Sequence, residues 1–169
     1  MTTLLVVVAL LVVAVAIAYV LLEKRPGYGA YYGLAKLTGS RLDIGPVDWP
    51  TLTRHSTPND ALVCPAAKCP NAQPDGPAKV YAMSPAELLV RLKTIALAEP
   101  DTRELPSALD NGARFLHRSK LMRFPDTIDV AVFPADTNST LVIYSRSLIG
   151  RKDFGVNRAR ITRWLAALD

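Results

Sequence analysis

Leu4 to Leu22 is an unbroken apolar run of Leu, Val, Ala, Ile and one Tyr, and it constrains this chain more than anything that follows. At 1.5 Å of rise per residue, a helix of about 20 residues matches a hydrocarbon core about 30 Å thick. A surface helix of a soluble domain needs a polar face, and this run offers none. The expectation is a transmembrane anchor over residues 1–25. A cleaved signal peptide is the competing reading, because Ala14-Val15-Ala16 and Ala16-Ile17-Ala18 both resemble small-x-small cleavage sites. Against cleavage, Met1-Thr2-Thr3 carries no Lys or Arg for an n-region, and the run continues through Tyr19-Val20-Leu21-Leu22 past either site.

Hydrophobic residues make up 50% of the 169, yet 20 Lys+Arg against 15 Asp+Glu leave a net charge of +5. The anchor absorbs the excess apolarity, and the remainder has an ordinary globular composition that excludes disorder, collagen and a disulfide-dense miniprotein. That remainder is long enough for one domain with its own core.

Orientation is pulled two ways. Lys24, Arg25, Lys36 and Arg41 follow the apolar run, so the positive-inside count favours a cytoplasmic domain. Cys64 and Cys69 are the only two cysteines, and a close pair in a Pro-rich loop is easiest to understand as a disulfide in an oxidising compartment. Two inert thiols, or two metal thiolates completed by His55 and His117, are the alternatives. The spacing matches paired zinc knuckles poorly, and both histidines are distant in sequence. No metal or cofactor is assigned.

Pro26-Gly27 stops the helix, and Tyr28, Tyr31 and Tyr32 follow. Either they form an interfacial collar at the headgroups, or Gly29 to Leu37 is a short helix packing its tyrosines on the domain. Residues 26–57 read as a juxtamembrane segment and Pro-rich arm. Seven prolines fall between Pro46 and Pro77, so regular structure should be sparse there, while Trp49, Leu52, Leu62 and Val63 need something to pack against. The expectation is an extended segment wrapped over a domain at residues 58–169.

Within that domain, Ser84-Pro85-Ala86-Glu87 is a capping box with Pro at the first helical position, and Leu88, Leu92 and Ile95 recur at helical spacing up to Pro100. Ile128, Val130 and Val132 alternate with Asp129, Ala131 and Phe133, and Leu141 to Tyr144 lies beyond a polar turn, which predicts an antiparallel hairpin. Arg114 to Phe124 is a further strand, with Phe115, Leu116, Leu121 and Met122 as its apolar contacts. Ile161, Trp164, Leu165 and Leu168 mark a terminal helix capped by Asp153 or Asn157. The fold class is α+β, an antiparallel sheet with helices covering one face.

No phosphate loop, HExxH, nucleophile elbow or haem signature occurs. From Arg114 onward, ten Lys/Arg face five Asp, so the positive charge belongs to the folded domain. A solvated surface with local ion pairs is one reading; contact with anionic headgroups or an acidic partner, through Arg151, Lys152 and Arg158 together with Tyr28, Tyr31 and Tyr32, is the other. Nucleic acid is not expected, since acids interleave the bases and no reader motif is present. Arg146 at a strand end, with Asp153 and Asn157 at a helix start, suggests a bidentate Arg146–Asp153 lock on that corner or an anion site at the helix N-terminus.

These blocks carry a resemblance. Pro58-Asn59-Asp60, Arg123-Phe124-Pro125-Asp126, Tyr144-Ser145-Arg146-Ser147, Gly150 and Asp153-Phe154-Gly155-Val156-Asn157-Arg158-Ala159-Arg160 resemble the bacterial and plastid family known as domain of unknown function 1499 (DUF1499). The resemblance covers about residues 58–169 and leaves the anchor outside. It implies membrane helices preceding the domain and a domain outside the cytoplasm, which moves the expectation towards the periplasm of a single-pass bacterial inner-membrane protein. It brings no activity to any matching position.

The expected role is a non-enzymatic accessory or assembly subunit docked on a membrane protein complex. A membrane-tethered domain binding a lipid, pigment or other small apolar or anionic ligand is the alternative. An enzyme built around Arg146, Asp153 and Asn157 comes third.

Overall fold

A computed structural model describes residues 2–23, 29–38, 42–54, 56–120 and 122–169. Tyr28, His55 and Leu121 lie outside the described residues, as do Lys24, Arg25, Pro26, Gly27 and Arg41. The chain divides into two compact units, Met1–Leu42 and Asp43–Asp169.

The first unit holds α1 (Thr2–Glu23) and α2 (Ala30–Thr38). Within α1, Thr3–Leu21 is long and apolar enough to cross a membrane, and none of it is buried. Tyr31 and Tyr32 sit on α2, with Tyr32 exposed and Tyr31 half-buried.

The second unit is built on one antiparallel sheet. Its strands are β1 (Asp60–Val63), β2 (Val80–Tyr81), β3 (Thr102–Leu105), β4 (Gly112–Arg118), β5 (Pro125–Ala135) and β6 (Asn138–Ser147), in the order β1-β6-β5-β4-β3, with β2 also paired to β6. The helices are α3 (Pro85–Ala98) and α4 (Val156–Ala166). The β5–β6 hairpin is the longest pairing, from Asp126↔Ser147 to Ala135↔Asn138, so only Asp136 and Thr137 remain in its turn. Asp136 takes φ 52, a left-handed conformation that Asp tolerates and a two-residue hairpin requires. The α3 cap forms as its sequence demands: Ser84 Oγ accepts the Glu87 N–H at 3.2 Å, Pro85 opens the helix and Glu99 ends it before Pro100.

The fourth strand is shorter than its sequence suggests. It stops at Arg118, where Ser119 folds the chain back: Ser119 N–H donates to Phe124 O, and Ser119 Oγ accepts from Phe124 N–H at 2.8 Å. Arg123 follows at φ 56, which no strand accommodates. At its start, Gly112 is required by space, because a Cβ there would stand 2.8 Å from Val130 O.

Strand alternation sends side chains to two different covers. Ala113, Phe115, Ile128, Val130, Leu141 and Ile143 meet Leu88, Leu92 and Ala96 of α3 and Ile161 and Trp164 of α4. Phe115 and Trp164 pack edge to face, with ring centroids 5.6 Å apart. Among the described residues of this unit, no helix packs on the opposite face. There Leu62, Ala131, Val142 and Tyr144 are covered by Trp49, Leu52, Ala72 and the Cys64–Cys69 disulfide, the Pro-rich arm having wrapped onto the sheet.

Candidate functional site

The corner between β6 and α4 is where the specific sequence blocks converge. Along β6, Ser145 and Ser147 point to the helix face and Tyr144 and Arg146 to the arm face. This alternation separates two of the residues expected to act together. Arg146 does not pair with Asp153: its Nη2 donates to Gly45 O at 2.9 Å, its Nε to Thr127 Oγ1 at 3.2 Å, and Asp129 stands 3.5 Å away. Asn157 lies on the other side of the sheet, wholly buried. The Arg146–Asp153 lock is therefore corrected, and so is the anion site that would have combined Arg146 with the helix N-terminus.

That helix N-terminus is already occupied. Asp153 accepts from Gly155 N–H at 3.0 Å and Asn157 N–H at 2.9 Å, so its carboxylate fills the place an anion would take.

The lock on this corner is made by Arg160. Its Nη1 donates to Ser145 Oγ at 2.8 Å and Asn157 Oδ1 at 2.7 Å, and its Nη2 to Asp126 Oδ2 at 2.7 Å. Asn157 Nδ2 donates in turn to Asn59 O and Ser147 Oγ, each at 3.0 Å. Asn59 Nδ2 reaches Gly150 O at 2.8 Å. One buried network thus ties together the entry to β1, the ends of β5 and β6, and α4. Arg160 and Asp126 both stand in the family-like blocks, but nothing in their spacing marks them as partners 34 residues apart.

A parallel network lies under the arm. Arg114 donates to Asp129 Oδ1 at 2.8 Å and to Asp43 Oδ1 at 2.7 Å, drawing the first residue of this unit onto the sheet. Burial pushes the carboxyls of Asp126 and Asp129 above the usual range, against the pull of Arg160 on the first and of Arg146 and Arg114 on the second. Arg114, Arg118, Arg146 and Arg160 are all buried, so the expected basic face loses four of its cations to the interior. Arg151, Lys152 and Arg158 are exposed.

A surface cleft of about 330 Å³ borders the same corner, between the β1 end and the segment leading into α4. On its floor Arg54 pairs with Asp60 at 2.6 Å and Asp75 at 2.9 Å, and Tyr144 donates its hydroxyl to Asp60 Oδ2 at 2.5 Å. Burial and the neighbouring Asp60 carboxylate raise the Tyr144 phenol well above its ordinary range, so it stays a protonated donor. Arg158 spans to Asp75 at 2.7 Å, and Lys152 and Phe154 form the rim. Phe154 is 93% exposed and adopts φ 54. In the sequence Phe154 stands inside the block Asp153 to Arg160 that carries the resemblance, a large aromatic between a capping Asp and a Gly just before a helix, with no role of its own expected there.

The two cysteines form a disulfide on the arm face, which removes the thiolate pair that a metal site would have needed. His117 lies on β4, hydrogen-bonded through Nδ1 to Thr102 Oγ1 at 2.8 Å, with Glu99 Oε2 at 3.8 Å. Burial and the nearby Arg160 charge push it down to about 4. Burial alone would raise Glu99, but the Arg163 guanidinium and Trp164 outweigh it and hold that carboxyl below the usual range.

Residues 53–168 match the family model described as protein of unknown function, DUF1499. The chain belongs to this family. No curated protein matches it. The match takes in the cleft, the Arg160 network and the disulfide, so each is part of the DUF1499 domain, whereas α1 and α2 precede it.

Proposed function

We propose that the chain is a single-pass subunit of a bacterial inner membrane whose DUF1499 domain docks, without catalysing a reaction, against a neighbouring membrane protein complex. The observation that carries this reading is α1. Its Thr3–Leu21 stretch is exposed along its whole length and has no polar face. Such a helix is unstable in water and at home in hydrocarbon.

The domain's chemistry supports a scaffold. Its buried cations and carboxylates, Arg114 with Asp129 and Arg160 with Asp126, engage one another and hold elements together. Between the sheet and the helices, Leu88, Leu92, Phe115, Ile128, Ile143 and Trp164 are each 1% exposed or less, so an enclosed apolar ligand has little room there. Docking therefore stands ahead of ligand carriage. The Cys64–Cys69 disulfide supports an oxidising compartment, with the domain on the periplasmic side.

The chain should resist carbonate extraction and, after cross-linking in cells and mild solubilisation, carry one partner in fixed stoichiometry. Recovery as a lone monomer overturns the docking reading. Thiol reagents should label Cys64 and Cys69 in intact cells only after reduction; free thiols reachable solely from the cytoplasm overturn the compartment.

A further inference from the structure

Among the described residues of the second unit Phe154 is the most exposed large hydrophobic, and its conformation is not an accident of a loose loop. At φ 54 it occupies the left-handed region, which bulky residues rarely adopt, and Gly155 follows at φ 82. The surroundings fix that shape. The Asp153 carboxylate takes two backbone N–H groups across the turn, Asp153 N–H donates to Pro58 O, and Asn157 is anchored in the buried network. Strain held in place by this many contacts is characteristic of a functional position. The backbone works to hold an aromatic ring in solvent.

The residues just before Phe154 in the chain are cationic, and the Asp60 and Asp75 carboxylates of the cleft it borders are already paired with Arg54 and Arg158. Arg151 and Lys152 immediately precede Asp153 and are exposed, while the Asp153 charge is turned inward to cap α4. Val156, 47% exposed, adds apolar surface beyond the ring. An exposed aromatic flanked by basic residues matches the boundary between anionic headgroups and acyl chains, where rings lie at headgroup depth and cations meet phosphate.

We propose that the Arg151–Val156 loop is a second membrane contact, which seats Phe154 among the anionic lipids of the bilayer that holds α1. The proposal rests on reading α1 as an anchor. With two points of attachment the domain keeps one orientation, and its remaining surface is presented to the partner.

The test uses the full chain in phosphatidylcholine nanodiscs, with and without phosphatidylglycerol, carrying the substitution Phe154→Trp. Trp49 and Trp164 are buried, so the added emission reports the loop. In anionic discs whose lipids are brominated in their acyl chains, the introduced indole should be quenched and blue-shifted. Adding R151S and K152S should weaken loop occupancy by about fivefold per charge removed. An indole that stays unquenched and red-shifted in both kinds of disc overturns the loop contact while leaving the anchor standing. A blue shift without bromine quenching means that a protein surface covers the ring, and also overturns it. A chain that fails to enter the discs overturns the anchor reading, and the loop contact with it.

Discussion

On one face of the sheet, α3 and α4 bring Leu88, Leu92, Ala96, Ile161 and Trp164 into an apolar core; on the other, the chain before and after β1 covers Leu62, Val142 and Tyr144 with almost no regular structure. The difference follows from backbone chemistry. A helix satisfies its own N–H and C=O groups, so burial of its apolar stripe is enough to hold it. An irregular cover needs outside partners for its backbone. The arm finds them in long cationic side chains: Arg146 reaches Gly45 O, and Arg54 reaches Gln73 O at 2.8 Å. The disulfide adds a covalent constraint where hydrogen bonding is sparse.

This contrast is open to mutation. The largest effect is expected on the helix face, where Arg160→Met leaves Asp126 buried and unpaired and should cost about 3–5 kcal/mol in a denaturant titration. Pairing it with Asp126→Leu should recover most of that loss; a double variant as unstable as the single one would mean the network has a role beyond charge balance. On the arm face, Cys64→Ser with Cys69→Ser should cost about 2 kcal/mol, the loop-closure entropy of so short a ring. Protease cutting between residues 46 and 77 should rise while far-ultraviolet dichroism stays near native. If cutting instead spreads to α3 and α4, the two covers are not independent.

His117 supplies a pH test confined to the helix side. Held at about 4 against an ordinary 6.5, it is neutral in the fold and binds a proton more readily when unfolded. Its share of stability is therefore complete above pH 6.5 and declines as pH falls towards 4, by about 1–3 kcal/mol. His117→Gln should flatten that stretch of the stability profile. The smallest effect belongs to Phe154→Ser, expected to change stability by no more than about 0.5 kcal/mol because the ring touches little. A large loss there would mean the ring supports the fold.

Local chemistry was legible in the sequence where neighbours along the chain decide the outcome. The Ser84 cap, the apolar alternation of β5 and β6, the Cys64–Cys69 pair and the Ile161–Leu168 stripe all depend on residues close together. The short strands are not legible in the sequence, because β1 is set by pairing to β6, Asp60 against Arg146. Four residues of β1 and two of β2 carry too little pattern of their own. The charged sites were harder still. Composition counts Arg146, Arg160 and Arg151 alike, and only their places separate them. Arg146 lies in a strand that alternates between two covers, Arg160 on the inner side of a helix, and Arg151 in a loop. Alternation from Tyr144 to Ser147 did hold the signal that Arg146 faces away from Asn157's partners.

The pairing of β1 with β6 also has a consequence in time. Tyr144 donates to Asp60 across 84 residues of sequence, so the strand made first is the one placed last. At roughly 5–20 residues per second of synthesis, β1 waits on the order of 4–17 s for β6 to be made. In that interval the disulfide loop, adjacent to β1, is free to close wherever an oxidant takes up the two electrons and two protons of its thiols. β1 therefore takes its place in the sheet only once β6 has been made, and α4, which follows β6 in the chain, closes over the sheet later still.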